Sequence, residues 1–352
     1  MAERDIVVVG SSVGGVDALQ KLVAGLPENF PASVFVVLHV GPEAPSVLPS
    51  ILSRAGSLRA RHPRDGEAIR AGQIYVAPPD RHLILENGRV RLTRGPKENR
   101  HRPAIDPLFR SAAHSYGPRA VGVILTGALD DGTVGLLEIK KRGGVAIVQD
   151  PDDAFCASMP RSAIEHVEVD HVAPLVEIPD LLADAVAQPV PAGGNGHKLE
   201  ALSPAVGGNG GGKNSALEKE VLYAELDMKT IEDENRPGNP SQFACPDCGG
   251  VLWEMNEGEV LRFRCRVGHA YTASSLDMEQ THAVENAVWA ALRALEEGAS
   301  LAKRMAERAR KADHGLLAKR FGERAEEKKQ QAELLRKVLV ESKQFLPEER
   351  AV

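Results

Sequence analysis

Five short apolar runs punctuate the first half of the chain: Ile6 to Val9, Val34 to Leu38, Ile74 to Ala77, Val121 to Leu125 and Val145 to Val148. They are rich in β-branched residues and closely flanked by Gly, Pro or Asp, and they lack the polar alternation of a half-solvated strand. Strands of this kind must be covered on both faces. The cover is visible between them, where Val16, Leu19, Leu22 and Val23, and again Leu136, Leu137 and Ile139, fall at helical spacing. Buried strands alternating with amphipathic helices predict an α/β fold, a doubly wound, mainly parallel sheet over residues 1–188. One segment departs from the pattern. Leu83 and Leu85, then Asn87-Gly88, then Val90 and Leu92 predict an antiparallel hairpin turning at Asn-Gly.

Beyond the sheet the pattern changes twice. Residues 189–214 hold Pro189, Pro191 and two glycine-rich stretches and read as a flexible linker that lets the C-terminal part of the chain move. Residues 215–273 read as a short helix and a small zinc ribbon, and 274–346 as an α-helical hairpin broken at Asp313-His314-Gly315. Among the 352 residues, 43% are hydrophobic and no apolar run approaches the roughly 18 residues needed to cross a bilayer. A cytoplasmic protein with no membrane insertion is therefore expected. Its 49 acidic and 43 basic residues leave a net charge of −6, which gives no global attraction to nucleic acid.

The first strand runs straight into Gly10-Ser11-Ser12-Val13-Gly14-Gly15 and a helix. A dinucleotide fingerprint would require glycine where Ser12 stands and an acidic residue after the second strand, and that strand ends in His39 instead. Serine on a tight strand-to-helix turn and histidine at a neighbouring strand end are the parts of a nucleophile and its base. The strand Val121 to Leu125 runs out into Asp130-Asp131, either of which can orient the imidazole. A parallel sheet brings all three strand ends to one edge. His101 is a rival base. The bland readings are a helix cap for Ser12, a loop histidine for His39 and turn residues for the aspartates.

The ordered set Gly10-Ser-Ser-Val-Gly-Gly15, His39, Tyr75-Val-Ala-Pro-Pro79, His101-Arg-Pro-Ala-Ile-Asp106, Leu125-Thr-Gly-Ala-Leu-Asp-Asp-Gly132 and Met159-Pro-Arg161 resembles the catalytic domain of chemotaxis protein-glutamate methylesterases. The resemblance covers about residues 5 to 187. It implies a cytoplasmic serine hydrolase of signal transduction that acts without a cofactor, removes methyl esters from glutamate side chains of methylated chemoreceptors, releases methanol and in many members deamidates glutamines. Position by position it implies Ser12 as nucleophile, His39 as base and Asp131 as acid. Val13 and Ala128 depart from the family's usual residues, and the catalytic pattern begins within five residues of Met1, so regulation by a preceding receiver domain is not expected. The alternative is a noncatalytic docking or signalling scaffold that keeps the fold.

Cys245-Pro-Asp-Cys248 and Cys265-Arg-Val-Gly-His269 supply three thiolates and an imidazole, a full tetrahedral set for structural zinc. Arg262, Arg264 and Arg266 alternate along one strand. They read as a solvated face, with an acidic receptor surface or RNA as sharper alternatives. Cys156 reads as a small core residue. The apolar stripe of the terminal helices needs a cover, so a homo-oligomer or a docked partner is expected there, with recruitment rather than catalysis as the role of residues 215–352.

Overall fold

The computed structural model describes residues 4–42, 46–190, 216–232, 238–257 and 260–342. The linker reading at 189–214 lies, from residue 191 onward, outside the described residues. The chain divides into two compact units, Met1–Leu276 and Asp277–Val352.

In the first unit, β1 (Ile6–Ser11) leads into α1 (Gly15–Gly25), β2 (Ser33–Leu38), α2 (Leu48–Ala55), β3 (Arg59–Arg61), β4 (Glu67–Ala68) and β5 (Gln73–Val76). A hairpin of β6 (His82–Glu86) and β7 (Arg89–Thr93) precedes α3 (Ile105–Tyr116). Then come β8 (Ala120–Ile124), α4 (Thr133–Lys141), β9 (Val145–Gln149), α5 (Ser158–His166), β10 (His171–Ala173) and α6 (Ile178–Ala187). Seven strands pair in parallel in the order β10-β9-β8-β1-β2-β5-β3. The five apolar runs are β1, β2, β5, β8 and β9. The two additional strands, β3 and β10, are three-residue edges with too little apolar pattern to be read.

Alternation within the strands builds two cores. Val7, Val9, Val34 and Val36 face α1, α2 and α6 through Leu19, Leu22, Leu52 and Leu182. Ile6, Val8, Phe35 and Val37 face α3, α4, α5 and the hairpin through Phe109, Leu136, Met159 and Leu85. Each fully buried side chain of this size stabilises the fold by roughly 1.5–3 kcal/mol. The hairpin turns at Asn87 and Gly88, whose φ of 46° and 78° are the left-handed pair a type I′ turn requires.

The chain resumes in α7 (Ala216–Ala224) and α8 (Met228–Glu232), followed by β11 (Asn239–Ala244), β12 (Val251–Glu257), β13 (Val260–Cys265) and β14 (Ala270–Thr272). These four strands form an antiparallel ribbon in sequential order around Leu252, Phe263 and Tyr271. It belongs to the same compact unit as the large sheet.

The arginine stripe is a correction to the sequence reading. Arg262 and Arg264 are only 1% and 3% exposed, and of the three only Arg266 faces solvent. Glu220 of α7 accepts from Arg262 (2.9 Å) and Arg264 (3.1 Å), while Glu98 accepts bidentately from Arg110 of α3 (2.7 and 2.8 Å) and from Arg264 (3.3 Å). The counter-charges come from 42 or more residues away in sequence, which is why strand periodicity alone read these arginines as solvated.

The second unit is a helical hairpin. It comprises α9 (Ala273–Lys311), whose first residues belong to the first unit, and α10 (Gly315–Ser342). Val288, Leu292 and Leu295 pack against Ala332, Leu335 and Leu339, and the chain reverses at Asp313 with φ 60°.

Candidate active site

The sheet's order reverses around β1, because β2 lies on one side of it and β8 on the other. The crevice beyond the carboxyl ends of the strands at such a reversal is where open α/β sheets bind and react. Ser12 follows β1, His39 follows β2 and Asp131 lies beyond β8. They meet there. The Ser12 hydroxyl lies 3.0 Å from His39 Nδ1, and His39 Nε2 lies 2.7 Å from Asp131 Oδ2. A carboxylate only accepts, so Nε2 carries the proton and donates to Asp131, leaving Nδ1 to accept from the serine hydroxyl.

Local structure explains each placement. The backbone N–H of Ser12 donates to the Thr126 carbonyl (3.0 Å), and that of His39 to the Ser11 carbonyl (3.3 Å), tying the two strand ends together. The α1 N-cap is Gly14, with φ 76° and no side-chain cap bond, so the Ser12 hydroxyl is not used as a cap. Asp131 is followed by Gly132 at φ 96°, where a Cβ would stand 2.7 Å from side-chain atoms of both Ile105 and Ile124. Glycine there lets the acidic turn close against α3.

Asp131 is buried and fully engaged. Its two oxygens accept from His39, from the N–H groups of Ile105 (2.7 Å) and Asp106 (3.2 Å) at the start of α3, and from the Asn99 amide (2.9 Å). Burial alone would raise its pKa. The His39 hydrogen bond and charge, with the Ile105 and Asn99 donors, overcome burial and hold it well below the usual carboxylate range. Asp130 has a different partner, Thr272 Oγ1 at 2.8 Å.

His101, the rival base, stacks on His39 with ring centroids 3.6 Å apart and planes 7° apart. Burial, reinforced by the charge of His39, pushes its pKa down to about 3. It is therefore a neutral wall behind the His39 ring.

Four groups of the site escaped the sequence reading. Thr126 accepts the Ser12 N–H through its carbonyl and bonds the Val13 carbonyl through its hydroxyl (2.9 Å). Asn99 reaches both Asp131 and Asp106 (3.0 Å). Burial, with the charge of Asp131, pushes the pKa of Asp106 up to about 7. Cys156, expected in the core, is half-buried beside the site, where its N–H donates to Thr126 Oγ1 (2.8 Å) and its carbonyl accepts from Gly127 (3.0 Å).

The family model for CheB methylesterase matches residues 7–182. The chain belongs to the CheB methylesterase family. A protein-glutamate methylesterase/protein-glutamine glutaminase 2 of Anaeromyxobacter dehalogenans is 41% identical over 183 residues, 52% of this chain and 54% of that protein. The chain thus spans about half the length of that relative. A Leptospira interrogans relative is 39% identical over 178 residues, 50% of this chain and 92% of that protein. The crystal structure of the Thermotoga maritima CheB methylesterase catalytic domain is similar with a TM-score of 0.50 and 37% identity, covering 52% of this chain and 99% of that one. Ser12, His39, Asp131, Asn99 and His101 all lie inside the segment matched to the CheB methylesterase family, and the ribbon lies beyond it.

The four ribbon residues Cys245, Cys248, Cys265 and His269 also come together, with all ligand atoms within 4.8 Å of one another. Cys248 and Cys265 sulfurs are 3.6 Å apart, and His269 Nδ1 lies 3.6 and 3.7 Å from the sulfurs of Cys265 and Cys245. Tetrahedral zinc with bonds of roughly 2.0 to 2.3 Å requires ligand separations of about 3.5 to 3.8 Å. These three separations match, and three thiols with one imidazole are a donor set that fits that ion.

Proposed function

We propose that this chain is a serine esterase that removes methyl groups from glutamate side chains of methylated chemoreceptor-type proteins. The observation that carries the reading is the continuous hydrogen-bond relay from Ser12 through His39 to Asp131 at the reversal point of the sheet. It favours an enzyme over a scaffold that merely keeps the fold.

In this reaction Ser12 Oγ attacks the ester carbonyl carbon while His39 Nδ1 takes its proton. Asp131 fixes the imidazole tautomer and stabilises the cation that forms. Backbone N–H groups at the start of α1, that of Val13 among them, stabilise the oxyanion, so the side chain at position 13 does not matter to that role. The bond to the methoxy oxygen breaks, His39 returns its proton and methanol leaves. Water, deprotonated by the same nitrogen, then attacks the acyl-enzyme and yields the glutamate carboxylate and free Ser12. A glutamine side chain runs the same course with ammonia as leaving group. No cofactor enters either cycle.

The test is methanol release from a methylated receptor by the full chain. Accumulation of methanol with stoichiometric loss of receptor methyl groups is expected, and a folded protein that releases none supports the scaffold reading.

Cys245, Cys248, Cys265 and His269 hold a structural zinc in this reading, with no position open for substrate. Purified protein should contain about one zinc per chain, and chelation should remove hydrogen-exchange protection from residues 239–272. Metal analysis returning no zinc while those amides stay protected contradicts the assignment.

In this reading the enzyme acts in the cytoplasm on the receptor's soluble portion, as its family implies; among the described residues no helix is long and apolar enough to cross a membrane. On the hairpin, Leu301 is 60% and Leu316 85% exposed, which supports self-association or a docked partner through these helices rather than nucleic-acid binding.

A further inference from the structure

We infer that the C-terminal ribbon positions the catalytic carboxylate, with Thr272 and Ser275 orienting the Asn99 amide that donates to Asp131. The inference rests on the esterase reading and adds to it residues from outside the segment matched to the family.

An amide side chain can point either way, and its partners decide which. Asn99 is 3% exposed. Its Oδ1 accepts from the Thr272 N–H (3.0 Å) and from the Ser275 hydroxyl (3.2 Å), both contributed by the end of the ribbon and the start of α9. Its Nδ2 is thereby turned toward Asp131 (2.9 Å) and Asp106 (3.0 Å). The opposite orientation would set an amide oxygen against two carboxyl groups and leave the two donors of the ribbon facing an NH2 group. Held as it is, the amide supports the charged form of Asp131.

The backbone around Asn99 depends on the same contact. Asn99 and Arg100 have φ of 46° and 74°, consecutive left-handed conformations without glycine. Such a segment persists only where its surroundings over-determine it. Here the Asn99 N–H donates to the Ala270 carbonyl (2.8 Å) and the Ala270 N–H to the Lys97 carbonyl (3.2 Å), so β14 pairs with the segment directly. The next residue is His101, whose ring lies flat against His39. One segment therefore touches both the base and the acid, and its far side is held by the ribbon. Thr272 Oγ1 adds a bond to Asp130 (2.8 Å), next in sequence to the catalytic carboxylate.

Thr272 and Ser275 also bond each other as the cap of α9, with the Ser275 N–H on Thr272 Oγ1 at 3.1 Å. A purely capping role predicts lost stability with unchanged turnover. The positioning role predicts lost turnover, and the two separate cleanly in kinetics.

The experiment uses the full chain and a small methyl ester, whose hydrolysis does not require receptor docking. Thr272→Val/Ser275→Ala is expected to lower kcat by roughly ten- to a hundredfold, the cost of a small misplacement of a catalytic group, with KM within about twofold of the parent. Thr272→Ser should restore most of the rate lost in Thr272→Val. Asn99→Ala should lower kcat similarly, and adding Ser275→Ala to it should cost little more, because the Ser275 hydroxyl acts through that amide, whereas the Thr272 N–H that also donates to it survives Thr272→Val, which removes only the hydroxyl's bonds to Asp130 and Ser275. Ser275→Ala alone, which leaves the Thr272 hydroxyl in place, serves if the double variant does not fold. Wild-type kcat in a folded double variant, or in folded Ser275→Ala where only that variant folds, overturns the inference. So does a loss in Ser275→Ala that multiplies in full with that of Asn99→Ala. Ser12→Ala is run beside them. If it is inactive while the ribbon variants are normal, only this inference falls; if it is fully active, the esterase reading falls as well.

Discussion

Replacing Ser12 with alanine is expected to lower ester hydrolysis by roughly 10⁴-fold or more while leaving the fold intact. The residue is small, half-buried and not a helix cap, so in the proposed reaction its loss removes the attacking oxygen and little else. His39→Ala should fall to a similar level, because a hydroxyl without a base remains essentially protonated. The Ser12/His39 double variant should be scarcely worse than either single one, since groups acting as one unit lose most of their contribution at the first deletion. Asp131→Asn is expected to reduce kcat by orders of magnitude through the tautomer alone. Its effect on stability is separate, because Asp131 also accepts from the first N–H groups of α3. Steady-state kinetics on purified, folded variants check all four. Multiplicative losses in the double variant would contradict a relay.

The largest expected effect on stability lies away from the chemistry, at Glu220. This carboxylate is 3% exposed and accepts from Arg262 and Arg264, while Glu98 serves Arg110 and Arg264. Three guanidinium groups already face two carboxylates. Glu220→Gln removes one charge from a buried network and leaves two arginines under-compensated, which costs about 3 to 5 kcal/mol. Urea denaturation of the first unit's signal measures it, and a change below about 1 kcal/mol would contradict the burial described. The same network sets an acid limit. Burial alone would raise both glutamates, but the neighbouring arginines prevail and hold both below their ordinary 4.5 in the folded state. A depressed carboxylate contributes stability that is fully present above its unfolded pKa and is lost as pH falls through the folded one. Stability should therefore decline as pH drops below about 4.5, and the decline should be shallower in Glu220→Gln, which has already lost one of the titrating groups.

The sheet and the three residues of the relay were legible because local pattern specifies them. Val7 and Val9 against Ile6 and Val8 announce a strand covered on both faces, and parallel pairing then obliges Ser12, His39 and Asp131 to emerge at one edge. The cysteine and histidine spacing of the ribbon was readable for the same reason, since two short knuckles carry their geometry within a few residues. What escaped was set by partners far away in sequence. Asn99 lies between a proline-containing segment and His101 with no periodicity to mark it, and its meaning comes from Asp131 and Thr272, 32 and 173 residues away. Arg262 and Arg264 alternate as a solvated face would, and the distant Glu98 and Glu220 supply the counter-charges that make burial tolerable. Residue pattern alone left Asp130 and Asp131 open, and the family resemblance singled out Asp131. Adjacent carboxylates on one turn point apart, one to His39 and the other to Thr272.

The most direct measurement is covalent trapping of the nucleophile. The full chain is treated with a small fluorophosphonate, which reacts with an activated serine hydroxyl and not with an ordinary one, and the modified residue is located by peptide mass spectrometry. One phosphonyl group on Ser12 is expected, with loss of methyl-ester hydrolysis in step with labelling and no labelling in His39→Ala. Complete labelling of a different residue with loss of activity, or undiminished hydrolysis by protein fully labelled at Ser12, would contradict the assignment of Ser12 as nucleophile.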